Sequence, residues 1–272
     1  MLRAGVLGSP IAHSLSPVLH RAGYAAAGLE GWAYDAHEVD EAGLPGFVAG
    51  LDEQWRGLSL TMPLKEVAAR VATTVDDVAT RAGAANTLVR RADGGWDATN
   101  TDVHGVAAAL RPHLADAPRR ALVIGAGATA RSAVLALAEL GVTTLTVRAR
   151  DTAKAADLLA WALDHGIRSG SVAGIGPWVT TRDDVVVSTV PATAADAVAA
   201  TVPATHPGVL LDVVYAGWPT PPARAGAAAG MTVVSGLDLL VHQAAEQFRL
   251  FTGHEAPVEA MAAAGRAALG ER

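Results

Sequence analysis

"VIGAGATA", residues 123–130, decides how this chain is read. Gly125, Gly127 and Ala130 have the spacing G-x-G-x-x-A. An apolar run, residues 121–125, leads into it, and a helical pattern over residues 129–140 leads out and stops at Gly141. Each position has a physical task in such a strand–turn–helix. Gly125 permits the tight turn, Gly127 lets a ligand approach the backbone, and Ala130 lets the helix pack close to the strand. The unbonded N–H groups and the positive dipole end at the helix start favour an anion such as a pyrophosphate. A chain rich in Gly and Ala produces this spacing by chance. Its place between a strand and a helix is what makes it a dinucleotide-binding turn.

The next apolar run, residues 142–147, ends in "TVRARD", residues 146–151. A carboxylate usually waits near this point for a ribose 2′-hydroxyl. This chain offers Arg148 and Arg150 instead. A carboxylate would repel a 2′-phosphate, whereas arginine holds one in a fork of N–H donors. Arg150, with Lys154 one helical turn on, forms the expected clamp, and NADP(H) is expected over NAD(H). Arg148 is expected on the strand, facing solvent. Asp151, just before "TAKAADLL", reads better as a helix N-cap than as the ribose acid.

Six short apolar strands are expected after Arg120, over residues 121–125, 144–148, 171–174, 185–190, 210–215 and 232–235. Separated by helical patterns, they make a doubly wound α/β sheet covered on both faces. The first part of the chain has its own alternation, with strands over residues 3–7, 32–39, 57–61, 86–90 and 95–99. The last two are joined by a hairpin at "RRADGGW". The joint is expected at the helix 103–114 and the segment "RPHLADAPRR". Two helices, residues 237–251 and 258–269, follow the sixth strand. The first carries Leu237, Leu240, Val241, Ala244, Phe248 and Phe251 as one apolar stripe. With the doubly wound sheet already complete, that stripe is expected to pack back on the first domain. The expected division is therefore residues 1–102 with 237–272, and residues 103–236.

The bulk numbers bound the function. The chain has 272 residues, 51% of them hydrophobic, with a formal charge of −6. Its basic residues are dispersed, unlike the clustered footprint of nucleic-acid binding. No apolar run approaches the roughly 20 residues of a membrane span. There is no cysteine, which removes disulfides and thiolate metal sites, and the nine histidines lack metal-ligand spacing. A cytoplasmic location is expected. The N-terminus reads directly as a strand, with no charged-then-apolar targeting pattern.

Four stretches of the first part carry candidate chemistry. In "GSPIAHSLSP", an extended backbone would point Ser14 and Ser16 to one side, where two hydroxyls suit a carboxylate. Ser16 also suits a helix cap, with Pro17 at the first helical position. In "SLTMPLK", Pro63 is expected to open a helix with Lys65 in its first turn. That end is unfavourable for a cation and suits a group that gives up a proton; a solvated surface lysine is the plainer alternative. "GAANTL" puts Asn86 at a strand start. "ATNTDVHG" puts Asp102 at a helix start, where N-capping is the plainer role, although Asn100 and Thr101 suit it equally.

Taken in order with the glycine turn, "LLDVVYAGWPTP" and "SGLDLLVHQAAEQF", these stretches resemble the shikimate dehydrogenase family over nearly the whole chain. The resemblance implies a substrate domain, a Rossmann NADP-binding domain and C-terminal helices returning to the first. It implies reversible reduction of 3-dehydroshikimate to shikimate with NADPH, in aromatic amino-acid biosynthesis. By motif, Ser14 and Ser16 would hold the substrate carboxylate, and Thr61, Lys65, Asn86, Asp102 and Gln243 would surround the ring hydroxyls. Tyr215 would lie near substrate, and Lys65 and Asp102 would be the catalytic pair. The cofactor would touch Gly125, Ala126, Gly127, Ala128, Thr129, Ala149, Arg150, Lys154, Val213 and Gly236, with Asp77 on the nicotinamide side.

The chain departs from the family pattern mainly around the cofactor. Ala149 replaces an asparagine, and Ala128 and Thr129 follow Gly127 where a further glycine is usual. "STVPATAAD" lacks a customary glycine, and "GLDLL" replaces a Gly-Met pairing. A quinate/shikimate dehydrogenase of broader specificity is the nearest alternative. An NADP-binding regulatory protein without catalysis is the alternative of another class, although Lys65, Asn86 and Asp102 are all intact. The expected state is a monomer or homodimer acting on a small molecule.

Overall fold

A computed structural model describes residues 1–114, 116–176 and 184–270. The chain divides into two compact units, Met1–Gly105 with Leu240–Arg272, and Val106–Leu239.

Unit 1 begins β1 (Leu2–Gly8), α1 (Ser16–Ala26), β2 (Trp32–Glu38), α2 (Leu44–Ala49) and β3 (Trp55–Leu60). It continues β4 (Thr74–Val75), α3 (Asp77–Ala82), β5 (Thr87–Arg90), β6 (Trp96–Thr99) and α4 (Thr101–Leu110). The strands form one sheet in the order β2-β1-β3-β5-β6-β4. β1 runs parallel to β2 and β3, while β5 is antiparallel to β3 and to β6, the latter pair being the hairpin read from "RRADGGW". The short β4 was not expected. Its two exposed residues carry no apolar alternation to betray it.

Unit 2 holds β7 (Arg120–Ile124), α5 (Ala128–Glu139), β8 (Thr144–Arg148), α6 (Thr152–Leu163) and β9 (Ser169–Ala173). Then come β10 (Val185–Ser188), α7 (Ala195–Ala199), β11 (Val209–Asp212), α8 (Pro221–Ala228) and β12 (Thr232–Ser235). All six strands pair in parallel in the order β12-β11-β10-β7-β8-β9. This is the doubly wound order, and it reverses at β7 and β10, where such sheets bind ligands beyond their strand ends. The Gly125–Gly127 turn leaves the end of β7 at that point.

Helices α9 (Gly236–Thr252) and α10 (Val258–Leu269) complete the chain. From Leu240 onward they belong to unit 1. Phe248 and Phe251 are buried there with Ala4, Val6, Tyr24 and Tyr34. Gly57 on β3 makes the seat possible, because a Cβ there would fall 2.0 Å from the Phe251 ring. In the same core the His20 imidazole is fully buried and stacks on Tyr34, with ring centroids 4.0 Å apart. Neither of its nitrogens has a hydrogen-bond partner. Burial pushes its pKa down to about 3.

Three local expectations are corrected. Arg148 does lie on β8 but is 5% exposed rather than facing solvent. The segment after β9 covers that face, and the Arg148 guanidinium donates to the carbonyls of Gly176 at 2.7 Å and Gly174 at 3.4 Å. The strand expected to reach Tyr215 ends at Asp212. There Asp212 takes a 2.6 Å bond from Thr220 and a 3.4 Å bond from the Val214 N–H, turning residues 213–215 into a loop. Pro63 opens no α-helix. Two 3₁₀ turns follow it, Leu64–Glu66 and Ala68–Arg70.

Candidate active site

Three strand ends of unit 1 converge on Lys65. The Leu60 N–H, at the end of β3, donates to the Asn86 carbonyl at 2.7 Å, and the Asn86 N–H donates to Thr99, at the end of β6, at 3.1 Å. The Thr61 carbonyl accepts from Leu64 at 2.8 Å and so starts the turn that carries Lys65. The Lys65 carbonyl accepts from Ala85 at 2.8 Å. The backbone around this lysine is thus tied on both sides.

The Lys65 ammonium group meets Asp102. Lys65 Nζ lies 2.6 Å from Asp102 Oδ2, with the two side chains 20% and 6% exposed. The other carboxylate oxygen, Oδ1, accepts from Asn86 Nδ2 at 2.8 Å. Asp102 is therefore no helix cap; Asn100 Oδ1 accepts from its N–H at 3.0 Å, so Asn100 does the capping. The helix-end argument for Lys65 also falls, because a single 3₁₀ turn supplies no macrodipole of consequence. An ion pair with a largely buried lysine takes its place. Gln243, on α9, is buried and accepts from Asn86 Nδ2 at 3.1 Å. Lys65, Asn86, Asp102 and Gln243 thus form one bonded cluster.

The serines are arranged differently from the extended reading. Residues 11–14 turn, with the Ser14 N–H donating to Ile11 O at 3.0 Å. It is Ser14, not Ser16, whose hydroxyl takes a helix-start N–H, that of Ser16, at 3.3 Å. Ser16 is the first residue of α1, makes no cap bond and is buried. The Ser14 hydroxyl keeps its own proton to donate. Asp77 stands apart from this cluster: its side chain is 81% exposed, and it pairs with Arg81 at 3.6 Å. Its neighbour Asp76 caps α3 by accepting from Ala79 at 2.7 Å.

In unit 2 the residues expected at a dinucleotide fit such a ligand. Gly125 has φ +117°, and a Cβ on it would lie 2.2 Å from the Thr189 hydroxyl, so only glycine makes this turn. A Cβ on Gly127 would meet nothing within 4 Å, leaving open space over the backbone. Gly127 begins α5 with no side-chain cap, so the first N–H groups, at Ala128 and Thr129, remain available to an anion. Ala126 lies between the two glycines. Ala130 is fully buried, as close packing of the helix requires. Asp151 caps α6, accepting from Ala153 at 3.0 Å and Lys154 at 3.2 Å, and so is engaged by backbone rather than free for a ribose. Ala149 is buried, and Arg150 and Lys154 are exposed. Gly236 packs on Val213: a Cβ would fall 2.2 Å from the Val213 carbonyl oxygen. Tyr215 follows in the same loop, and burial raises its pKa.

Residues 6–88 match the model for the shikimate dehydrogenase substrate binding domain, and residues 236–264 match the shikimate 5′-dehydrogenase C-terminal domain. The shikimate dehydrogenase (NADP(+)) of Methanocella arvoryzae is 35% identical over 271 residues, covering 97% of this chain and 98% of the relative. The chain belongs to the shikimate dehydrogenase family. The Mycobacterium tuberculosis shikimate dehydrogenase structure is 47% identical with TM-score 0.88, covering 98% of this chain and all of that one (100%). The Thermus thermophilus enzyme, solved with NADP(H) and shikimate, is 32% identical with TM-score 0.83, covering 99% and 100%.

The family motifs pointed to most of the bonded cluster, but some supporting residues were missed. Thr87 and Thr101 lie inside quoted motifs and are buried against Asn86. Gln247 is four residues after Gln243, so both glutamines lie beside the apolar stripe of α9, a polar interruption legible in the sequence. Asp212 was also missed, because the strand was expected to run on past it; burial raises its pKa.

Proposed function

We propose that this chain interconverts 3-dehydroshikimate and shikimate with NADP(H), unit 1 binding the substrate and unit 2 the dinucleotide. The observation that carries the reading is the Lys65–Asp102–Asn86 cluster, an ammonium held at 2.6 Å by a carboxylate that a buried amide itself anchors. Bound NADPH supplies the hydride to the substrate's carbonyl carbon. Lys65 gives its proton to the carbonyl oxygen as negative charge develops there, and takes it back from the hydroxyl in the reverse direction. Asp102 orients the ammonium and, with Asn86 and Gln243, accepts or donates to ring hydroxyls; Thr61 and Tyr215 complete that set. Ser14 and Ser16 hold the carboxylate of the substrate. Asp77 is kept as a contact on the nicotinamide side. The reading includes a cytoplasmic location, where a chain without cysteine lacks no cross-link, and a monomer or homodimer as the working unit.

Absorbance of reduced nicotinamide, followed with shikimate and each oxidised cofactor, tests the function. Turnover with NADP and shikimate is expected; cofactor binding with no turnover of any cyclohexene acid would refute the reading. For Ser14→Ala, the expected result is a raised KM for shikimate with kcat preserved, since a ground-state contact is lost. A fall in kcat alone would remove Ser14 from carboxylate binding.

The clamp makes a separate prediction. A charge-assisted hydrogen bond contributes about 1.5–3 kcal/mol. Arg150→Ala is therefore expected to raise the Kd for NADP by about 10- to 100-fold while leaving that for NAD nearly unchanged. Titration of nicotinamide fluorescence measures both. An equal loss for the two cofactors would place Arg150 away from the 2′-phosphate.

A further inference from the structure

The bonded cluster around Asn86 continues inward through further buried polar groups. Gln247 is 1% exposed. Its Nε2 donates to the Asn86 carbonyl at 3.2 Å and to Thr87 Oγ1 at 2.9 Å. Its Oε1 accepts from Ser59 Oγ at 2.8 Å, and Ser59 accepts from the Tyr34 hydroxyl at 2.6 Å. Thr87 in turn donates to Asn86 Oδ1 at 2.7 Å.

The direction of every link follows from groups that have only one role. A backbone carbonyl only accepts, so the Gln247 atom on Asn86 O is the nitrogen. Its oxygen therefore faces Ser59, which must donate, and so Ser59 accepts from Tyr34. Thr87 accepts from Gln247 and spends its own proton on Asn86 Oδ1. The Thr101 N–H, which only donates, reaches the same Asn86 oxygen at 2.8 Å. The Asn86 nitrogen is then left for Asp102 Oδ1 and for Gln243 Oε1. Gln243 is oriented likewise, its Nε2 donating to Leu240 O at 3.2 Å. Donors thus run one way from Tyr34 to the Asp102 carboxylate, and Asp102 Oδ2 remains for Lys65.

We propose that Gln247 and Thr87 are positioning residues for the reaction, aligning Asp102 and Lys65 through the fixed amide of Asn86. The inference rests on the Lys65–Asp102 reading above. A buried, fully satisfied network has one arrangement, and each of its members is costly to leave unpaired. Reversing one link lets the Asn86 amide turn, and a misplacement of about 1 Å in a catalytic group costs up to about 10²-fold. Helix α9, through Gln243 and Gln247, thereby tunes a bonded cluster whose other members precede residue 105.

Thr87→Val keeps the shape of the side chain and removes the hydroxyl. It is expected to lower kcat per folded enzyme about 10- to 100-fold, with KM for shikimate within about threefold. Thr87→Ser restores the hydroxyl and is expected to return kcat to within about twofold. Gln247→Glu presents only acceptors, draws the Thr87 proton away from Asn86, and is expected to behave as Thr87→Val does. A merely structural role would lower Tm in these variants and leave kcat per folded enzyme in place; that outcome overturns the inference. Should the variants fail to fold, side-chain amide exchange in the wild type decides. Slow exchange of the Asn86 Nδ2 protons is expected, and exchange at the rate of an exposed amide overturns the inference. Wild-type turnover of shikimate and its loss in Lys65→Ala are measured first. If those two hold and Thr87→Val keeps its kcat, the positioning role alone is lost.

Discussion

Replacing Lys65 by alanine is expected to lower kcat by at least about 10²–10⁴-fold, the usual worth of one general acid, with substrate affinity little changed. The ammonium is the proton-bearing group of the cluster, since Asp102 and the amide oxygens around it only accept. Its loss strips the developing oxyanion of both a proton and a positive charge, an interaction made chiefly in the transition state, so kcat and kcat/KM should fall together. The fold should persist. Lys65 is tied to its neighbours by its backbone, and Asp102 keeps the Asn86 amide at 2.8 Å after the ammonium is gone. Steady-state kinetics on protein with a checked unfolding midpoint make the measurement. Near-normal turnover would remove Lys65 from the catalytic step and leave its bond to Asp102 as structural.

Acid sensitivity should trace to His20. Its folded pKa is lowered by burial from 6.5 to about 3. Between those values the unfolded chain binds a proton that the folded chain excludes, so stability is full above about pH 6.5 and falls as the pH drops toward 3. The slope is about 1.4 kcal/mol per pH unit for one group. Relative to its value at pH 7, wild type should lose about 2 kcal/mol more than His20→Phe by pH 5. Phenylalanine keeps the stack on Tyr34 and cannot be protonated, so the difference between the two proteins isolates this imidazole from the other titrating groups. Urea midpoints over a pH series provide the comparison. Parallel curves would mean that the folded protein lets His20 take its proton.

The apolar strands, the glycine turn and the stripe on α9 were legible because each is a local pattern with one physical solution. A short apolar run between helical patterns marks a buried strand, Gly125 at φ +117° makes a turn no other residue makes, and Phe248 and Phe251 mark a face that must be buried. Asp151 as a cap belongs to the same kind, since its partners lie two and three residues away. Legibility failed where the deciding partner is remote in the chain. Arg148 looked solvated until the carbonyls of Gly174 and Gly176 arrived over it. Lys65 looked like a helix-start cation because the proline before it suggests a helix, and the 3₁₀ turn there depends on Thr61 and Ala85.

By itself the sequence determined most strands of the two sheets, the glycine turn after β7 and the Asp151 cap, all of which follow from patterns within about 20 residues of chain. Only the tertiary structure decided that Asn100 rather than Asp102 caps α4, that Ser14 serves the start of α1, and that Gln247 reaches Asn86 across 161 residues. The physical reason is the same in each case. A polar side chain has several acceptable partners nearby, and burial, which leaves it only those the fold delivers, makes the choice.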